Sequence, residues 1–97
     1  MVIISRGRLN EYKIQYPDAA DAITKWFLVV STTDWANLND IKGTFNSVDY
    51  YGNGLYIFNI MGNHYRLVVR IIFKTRTIFI RFFGTHTEYD RLDFSKL

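Results

Sequence analysis

The chain reads as an α+β protein, helices first and an antiparallel meander after, because its hydrophobic period changes once along its length. Up to Ser31 the apolar side chains recur at helical spacing, whereas beyond Gly43 they alternate as strand residues do, around glycine-bearing turns. Size is the third observation. A chain of 97 residues with no cysteine has to close on a single core without a staple, and its 18% aromatic content must carry much of that burial. We expect one domain over residues 1–97, with two N-terminal helices and a short third packed on a twisted, mostly antiparallel sheet of four strands.

The elements follow in order. Met1 to Ile4 is a short apolar strand. Ser5 is placed to cap a first helix with Leu9, Tyr12 and Tyr16 on one face. Pro17 stops that helix and suits the first turn of the next, where Asp18 and Asp21 complement the positive end of the dipole. Ala19, Ala22, Ile23, Trp26, Phe27 and Val30 then form a stripe at helical spacing, which predicts the face turned to the core. Asn39 can cap a short third helix running through Lys42. Gly52-Asn53-Gly54 turns the chain into a strand over Leu55 to Ile60. Gly62-Asn63, with glycine first, suits a two-residue hairpin turn. The next strand runs from His64 to Phe73, and Thr75-Arg76 can return it into Ile78 to Gly84.

Turns set register, and register sets faces. A loop at Gly62-Asn63 pairs Asn59 with Arg66 and Ile57 with Val68. A loop at Thr75-Arg76 pairs Arg70 with Arg81, Val68 with Phe83 and Arg66 with Thr85. One face then holds Tyr56, Phe58, Ile60, Tyr65, Leu67, Val69, Ile71, Ile78, Ile80 and Phe82, apolar throughout and suited to lie under the helices. The other mixes Leu55, Ile57, Val68, Ile72, Phe79 and Phe83 with Asn59, Arg66, Arg70, Arg81 and Thr85. Facing arginines repel by about 0.2–1 kcal/mol, so an anion between them is called for. Glu88 or another carboxylate would serve. So would a phosphate, which the planar guanidinium fork matches.

Formal charge is only +3, but it is unevenly spread. Asp18, Asp21, Asp34, Asp40 and Asp49 lie in the first half, while Arg66, Arg70, Lys74 and Arg81 crowd the second. No apolar run is long enough to span a membrane and the N-terminus has no signal-peptide pattern, so a soluble, cytoplasmic protein is expected. Asn59, Arg66 and Thr85 form a row across the sheet, and His86 and Tyr89 follow it. With Thr85 as N-cap, residues 86–91 can make a helical turn that brings His86 and Tyr89 to one side. An arginine, an imidazole and a phenol on an aromatic-lined surface meet the needs of RNA cleavage. Attack of a 2′-hydroxyl on the adjacent phosphodiester requires removal of a proton, stabilisation of phosphorane charge and protonation of the 5′ oxygen. Arg66 can stabilise the charge. His86 can exchange protons near neutrality. Tyr89 can stack on a base or take part in proton transfer. With two histidines and no cysteine, no metal or other cofactor is suggested. The plainer readings are a solvated His86, a Tyr89 that closes the core against the C-terminal turn, and an Arg66 paired with Glu88 or Asp90.

Three runs carry a resemblance: Val48 to Gly54, Phe58 to Val69 (with Tyr65-Arg66-Leu67-Val68 inside it), and Ile80 to Asp90. Together with Tyr16 to Ala19 and Asp34-Trp35 in the helical half, they make the chain similar to the HigB toxins, part of the broader RelE-like group of bacterial type II toxin–antitoxin systems. The resemblance covers nearly the whole chain. It implies a RelE-like α+β fold, an mRNA interferase that cuts translated messages at the ribosome, and a helix-turn-helix, HigA-like antitoxin as partner. It implies that Arg66 steadies the scissile phosphate, that His86 stands where relatives carry a catalytic basic or imidazole group, and that Tyr89 and Asp90 assist. RelE uses lysines on an earlier strand, but Val48 to Ile60 contains none, so the proton acceptor is left among His86, Asp90 and the off-strand Lys42. Lys42, Asn59, Arg70 and Arg81 are the further candidates for holding RNA.

The leading expectation is thus a metal-independent endoribonuclease acting on mRNA at the ribosome. A non-catalytic nucleic-acid or partner-binding module using the same basic face is the alternative, distinguished by salt-sensitive binding without cleavage. A toxin of this fold directed at another target, such as gyrase, is the third reading.

Overall fold

A computed structural model describes residues 1–97. Its sheet has five strands in the order β1-β5-β4-β3-β2: β1 (Val2–Ile4), β2 (Val48–Gly52), β3 (Leu55–Ile60), β4 (Tyr65–Ile72) and β5 (Thr77–Thr85). Helices α1 (Gly7–Gln15), α2 (Ala20–Ser31) and α3 (Leu38–Thr44) carry the chain from one sheet edge to the other, and β2 to β5 walk back as an antiparallel meander. β5 then lies beside β1, parallel to it, with Val2 opposite Thr77. That pair makes the fifth strand, one more than the pattern predicts. A five-residue helix α4 (His86–Asp90) follows directly.

The helix starts differ in detail from expectation. Ser5 does not cap α1; it takes a left-handed conformation (φ 66°) and Arg6 occupies the N-cap position. Pro17 opens a 3₁₀ turn, Pro17–Ala19, that leads straight into α2. α3 is capped by Asn37 rather than Asn39, the Asn37 side chain accepting from the Asp40 backbone N–H at 3.0 Å. The α2 stripe behaves as predicted: Ala19, Ile23, Trp26 and Val30 are buried, and Ala22 and Phe27 pack partly buried beside them.

The first hairpin has the predicted register, Asn59 opposite Arg66 and Ile57 opposite Val68. Gly62 has the positive φ its turn needs, 65°, and the His64 N–H closes the turn on the Met61 carbonyl at 3.2 Å. The second hairpin does not. Its loop is longer, a 3₁₀ turn over Phe73–Thr75 ended by Arg76 in the left-handed region, so Arg70 faces Phe79 and not Arg81. A β-bulge then shifts the register between Val68 and Val69, leaving Arg81 between the pairs Val69–Ile80 and Val68–Phe82. Past the bulge every side chain changes face. Phe83, expected outside, is buried in the main core, and Phe82, expected inside, packs on the opposite surface. Arg66 accordingly pairs with Gly84, and Thr85 with Tyr65.

The bulge is held from the helical layer. Arg8 of α1 donates to the carbonyls of Ile80 (2.8 Å) and Arg81 (3.0 Å). The relocated Phe83 ring meets Tyr12, Tyr16 and Tyr65 at centroid distances of 5.4, 5.4 and 5.1 Å. Each such pair contributes about 0.5–1.5 kcal/mol beyond burial alone, which ties α1 to β4 and β5. The reverse face of the sheet is also covered: Leu55, Ile57 and Val68 form a small second core under Phe82, Tyr89, Leu92, Phe94 and Leu97. No helix is long and apolar enough to cross a membrane.

Candidate active site

The reverse face carries Arg66, because strand alternation sends its neighbours Tyr65 and Leu67 into the main core. Its guanidinium Nη1 donates to the carbonyls of Asn63 (3.2 Å) and Tyr65 (3.3 Å), and its Cζ stands 5.9 Å from the centre of the Tyr89 ring. It forms no ion pair; the two carboxylate pairs in the molecule are Arg76 with Asp34 and His86 with Asp90. Neither Glu88 nor Asp90 neutralises it.

α4 brings Tyr89 beside Arg66 and carries His86 one turn before it. Thr85 is its N-cap as predicted and forms a full capping box: the Thr85 side chain accepts from the Glu88 N–H at 3.2 Å, and a Glu88 carboxylate oxygen accepts from the Thr85 N–H at 2.8 Å. Glu88 also accepts from the Tyr16 hydroxyl at 2.8 Å, and the His86 N–H donates to the His64 carbonyl at 3.3 Å. Three attachments thus fix a helix too short to be stable by itself. Gly84 makes room for it, since a Cβ there would fall 2.7 Å from the Phe82 ring and 3.1 Å from Glu88.

His86 is exposed, with Nδ1 3.5 Å from Asp90 Oδ1 one helical turn on. The carboxylate lies beside the imidazole without a hydrogen bond to it, and the exposed ring is open to a ligand. Tyr89 is half-buried against the second core, its ring edge-on to Phe94 at 5.7 Å. It therefore does both things the sequence left as alternatives, closing a core and bordering the candidate site. Burial raises its pKa above the usual phenol value, with Asp49 and Asp90 acting in the same direction and Arg66 opposing. At neutral pH the group is a donor. The links of Glu88 lower its pKa, first through the Thr85 N–H and then through the Tyr16 hydroxyl, while burial and Glu88 push Tyr16 up to about 12.

Asn59 of β3 is directly opposite Arg66 of β4, its Nδ2 donating to the Ser47 hydroxyl at 3.4 Å. Lys42, at the exposed end of α3, lines with Asn59 an open cleft of about 330 Å³. The other two arginines are engaged elsewhere. Arg70 donates to the carbonyls of Asn53 and Leu97 (the latter 3.0 Å), joining the β2–β3 turn to the C-terminal segment. Arg81 lies on the bulge over Phe79 (5.5 Å) with a buried Nε that has no hydrogen-bond partner. No three His, Cys, Asp or Glu side chains converge anywhere.

Sequence reasoning missed Asp49 and Tyr51. Tyr51, at the irregularity in β2, stacks on Phe94 at 3.9 Å, and Asp49 acts on the Tyr89 phenol. Period-two alternation in Val48–Gly52 puts both on the Arg66 face once β2 is recognised as a strand.

Comparison with known proteins places the chain in a family. Residues 19–92 match the sequence model of a family described as HigB_toxin, RelE-like toxic component of a toxin–antitoxin system. The chain is 30% identical over 94 residues to an mRNA interferase HigB of Escherichia coli O6:H1 (strain CFT073), covering 95% of this chain and 91% of that protein. It is 27% identical over 92 residues to the mRNA interferase toxin HigB of Escherichia coli K12 and to an mRNA interferase HigB of Shigella flexneri, covering 93% of this chain and 88% of each relative. The chain belongs to the HigB toxin family, the RelE-like toxic component of a toxin–antitoxin system.

Proposed function

We infer that this toxin is an mRNA interferase, an endoribonuclease that cleaves by attack of a 2′-hydroxyl on the neighbouring phosphodiester. The relatives' names support the activity. The observation that carries the site is Arg66, a guanidinium without a carboxylate partner, stationed over Tyr89 on the face that carries α4. In this reading Arg66 holds the scissile phosphate and stabilises charge on the phosphorane. His86, with the Asp90 carboxylate beside it, accepts the proton of the 2′-hydroxyl as the O2′–P bond forms. Tyr89, kept protonated by its half-buried position, donates to the 5′ oxygen as the P–O5′ bond breaks. The products are a 2′,3′-cyclic phosphate and a 5′-hydroxyl end, and proton exchange with water restores both side chains. Asn59 and Lys42 take the flanking RNA. Arg70 and Arg81 contribute positive potential from positions that also serve the fold.

The substrate is mRNA held on the ribosome, where ribosomal RNA helps order it, and the neutralising partner is a HigA-like helix-turn-helix antitoxin. His86→Ala and Arg66→Ala are each expected to abolish growth arrest on induction while the protein stays folded and still binds its antitoxin. Full toxicity of both variants would remove the assignment. Mapping of transcript ends soon after induction then separates cleavage from simple RNA binding.

A further inference from the structure

The cleft between α3 and β2 is lined in part by Asn59, the residue opposite Arg66. Val48 is opposite Phe58, so Ser47 is opposite Asn59, Asn59 is opposite Arg66, and Arg66 is opposite Gly84. Neighbouring strands lie about 4.8 Å apart, which puts the Ser47 backbone about 10 Å from that of Arg66. Lys42, Gly43, Asn46, Ser47 and Asn59 line the cleft beside the half-buried Phe45, with Phe58 sealed in the core beneath. An open cleft bordered by amide and hydroxyl groups can reach the hydrogen-bonding edges that distinguish one base from another, and an ammonium beside it can hold a phosphate.

Gly43 adds an independent argument. It lies within α3, has no left-handed φ, and a Cβ built on it meets nothing within 4 Å. Although it stands in the last turn of the helix, neither its backbone geometry nor its packing asks for glycine there. What the bare position does is keep one wall of the cleft open.

We propose that this cleft is the subsite for the nucleotide flanking the scissile phosphate, with Asn46, Ser47 and Asn59 reading its base edge and Lys42 holding its phosphate. The proposal rests on the nuclease reading above. Its test is end mapping of cellular transcripts after induction of the parent chain and of Asn46→Ala, Ser47→Ala and Gly43→Leu. The parent is expected to favour one base at a fixed position beside the cut. Asn46→Ala and Ser47→Ala should keep cutting but lose discrimination at that position by roughly three- to tenfold, the value of a single hydrogen bond. Gly43→Leu, a helix-favourable change that fills the cleft, should lower cutting at the parent's sites at least tenfold with an unchanged thermal midpoint. Cutting by the parent with no base preference, or an unchanged preference in all three variants, overturns the subsite and leaves the nuclease reading standing. No cutting by the parent overturns both.

Discussion

Arg66 combines three constraints that no other residue type meets. Its stem must cross the sheet surface beside Asn59, its head must satisfy the Asn63 and Tyr65 carbonyls, and donors must remain for a ligand above Tyr89. Guanidinium has five N–H donors in a fixed fork, whereas an ammonium is a single, strongly hydrated point charge. Arg66→Lys keeps the charge but is expected to lower the cleavage rate about a hundredfold, with a far-ultraviolet spectrum and thermal midpoint like those of the parent. Near-parental cleavage by the lysine variant would mean that charge alone suffices and that the fork has no role. The sequence marks this residue because the turn at Gly62-Asn63 fixes which way it points. Arg70 and Arg81 carry the same charge on neighbouring strands. Their engagement by the Asn53 and Leu97 carbonyls and by the bulge depends on segments remote in sequence, so nothing local marks it.

Among the elements, α4 is the one whose stability sets the site, and its hold is electrostatic. Glu88 accepts from the Thr85 N–H and from Tyr16, and these bonds lower its pKa from the ordinary 4.5. A carboxyl whose folded pKa is depressed contributes stability that is present above its unfolded value and is lost as pH falls through the folded one. Parent and Glu88→Gln should therefore differ in thermal midpoint at neutral pH, with the parent higher, and converge as pH falls below about 4.5. A gap that does not change with pH would show that the carboxylate is not what holds the helix. Most of this element was legible beforehand, since Thr85 followed three residues later by Glu88 is a capping box on sight. The bulge that precedes it was not. Ile78 to Phe83 is apolar at nearly every position, so alternation cannot show that one residue has been inserted. The signal lay 72 residues away, in an Arg8 that donates to the Ile80 carbonyl.

At the scale of the whole molecule the sheet is packed on both faces, by three helices on one and by the chain after α4 on the other. The first layer follows from helical periodicity; the second does not, because Leu92, Phe94 and Leu97 are too few and too irregularly spaced to announce a face. Yet the second layer positions the candidate chemistry. Phe94 stacks on Tyr51 at 3.9 Å and meets the Tyr89 ring edge-on at 5.7 Å, so it fixes the ring on which Arg66 rests. Removing a fully buried phenylalanine costs about 3–5 kcal/mol, and a half-buried one correspondingly less, about 1–3 kcal/mol. Phe94→Ala should lower the unfolding free energy by that amount, read as a lower urea midpoint with little change in slope, because the main core around Trp26, Phe58 and Phe83 is untouched. It should also reduce cleavage by more than the loss of folded protein accounts for, because Tyr89 then loses its lateral support. Phe94→Leu, which refills much of the volume, should recover most of the stability but only part of the activity, since a leucine cannot hold two aromatic rings at fixed angles. Equal recovery of both would mean that the C-terminal layer acts on the site only through overall stability.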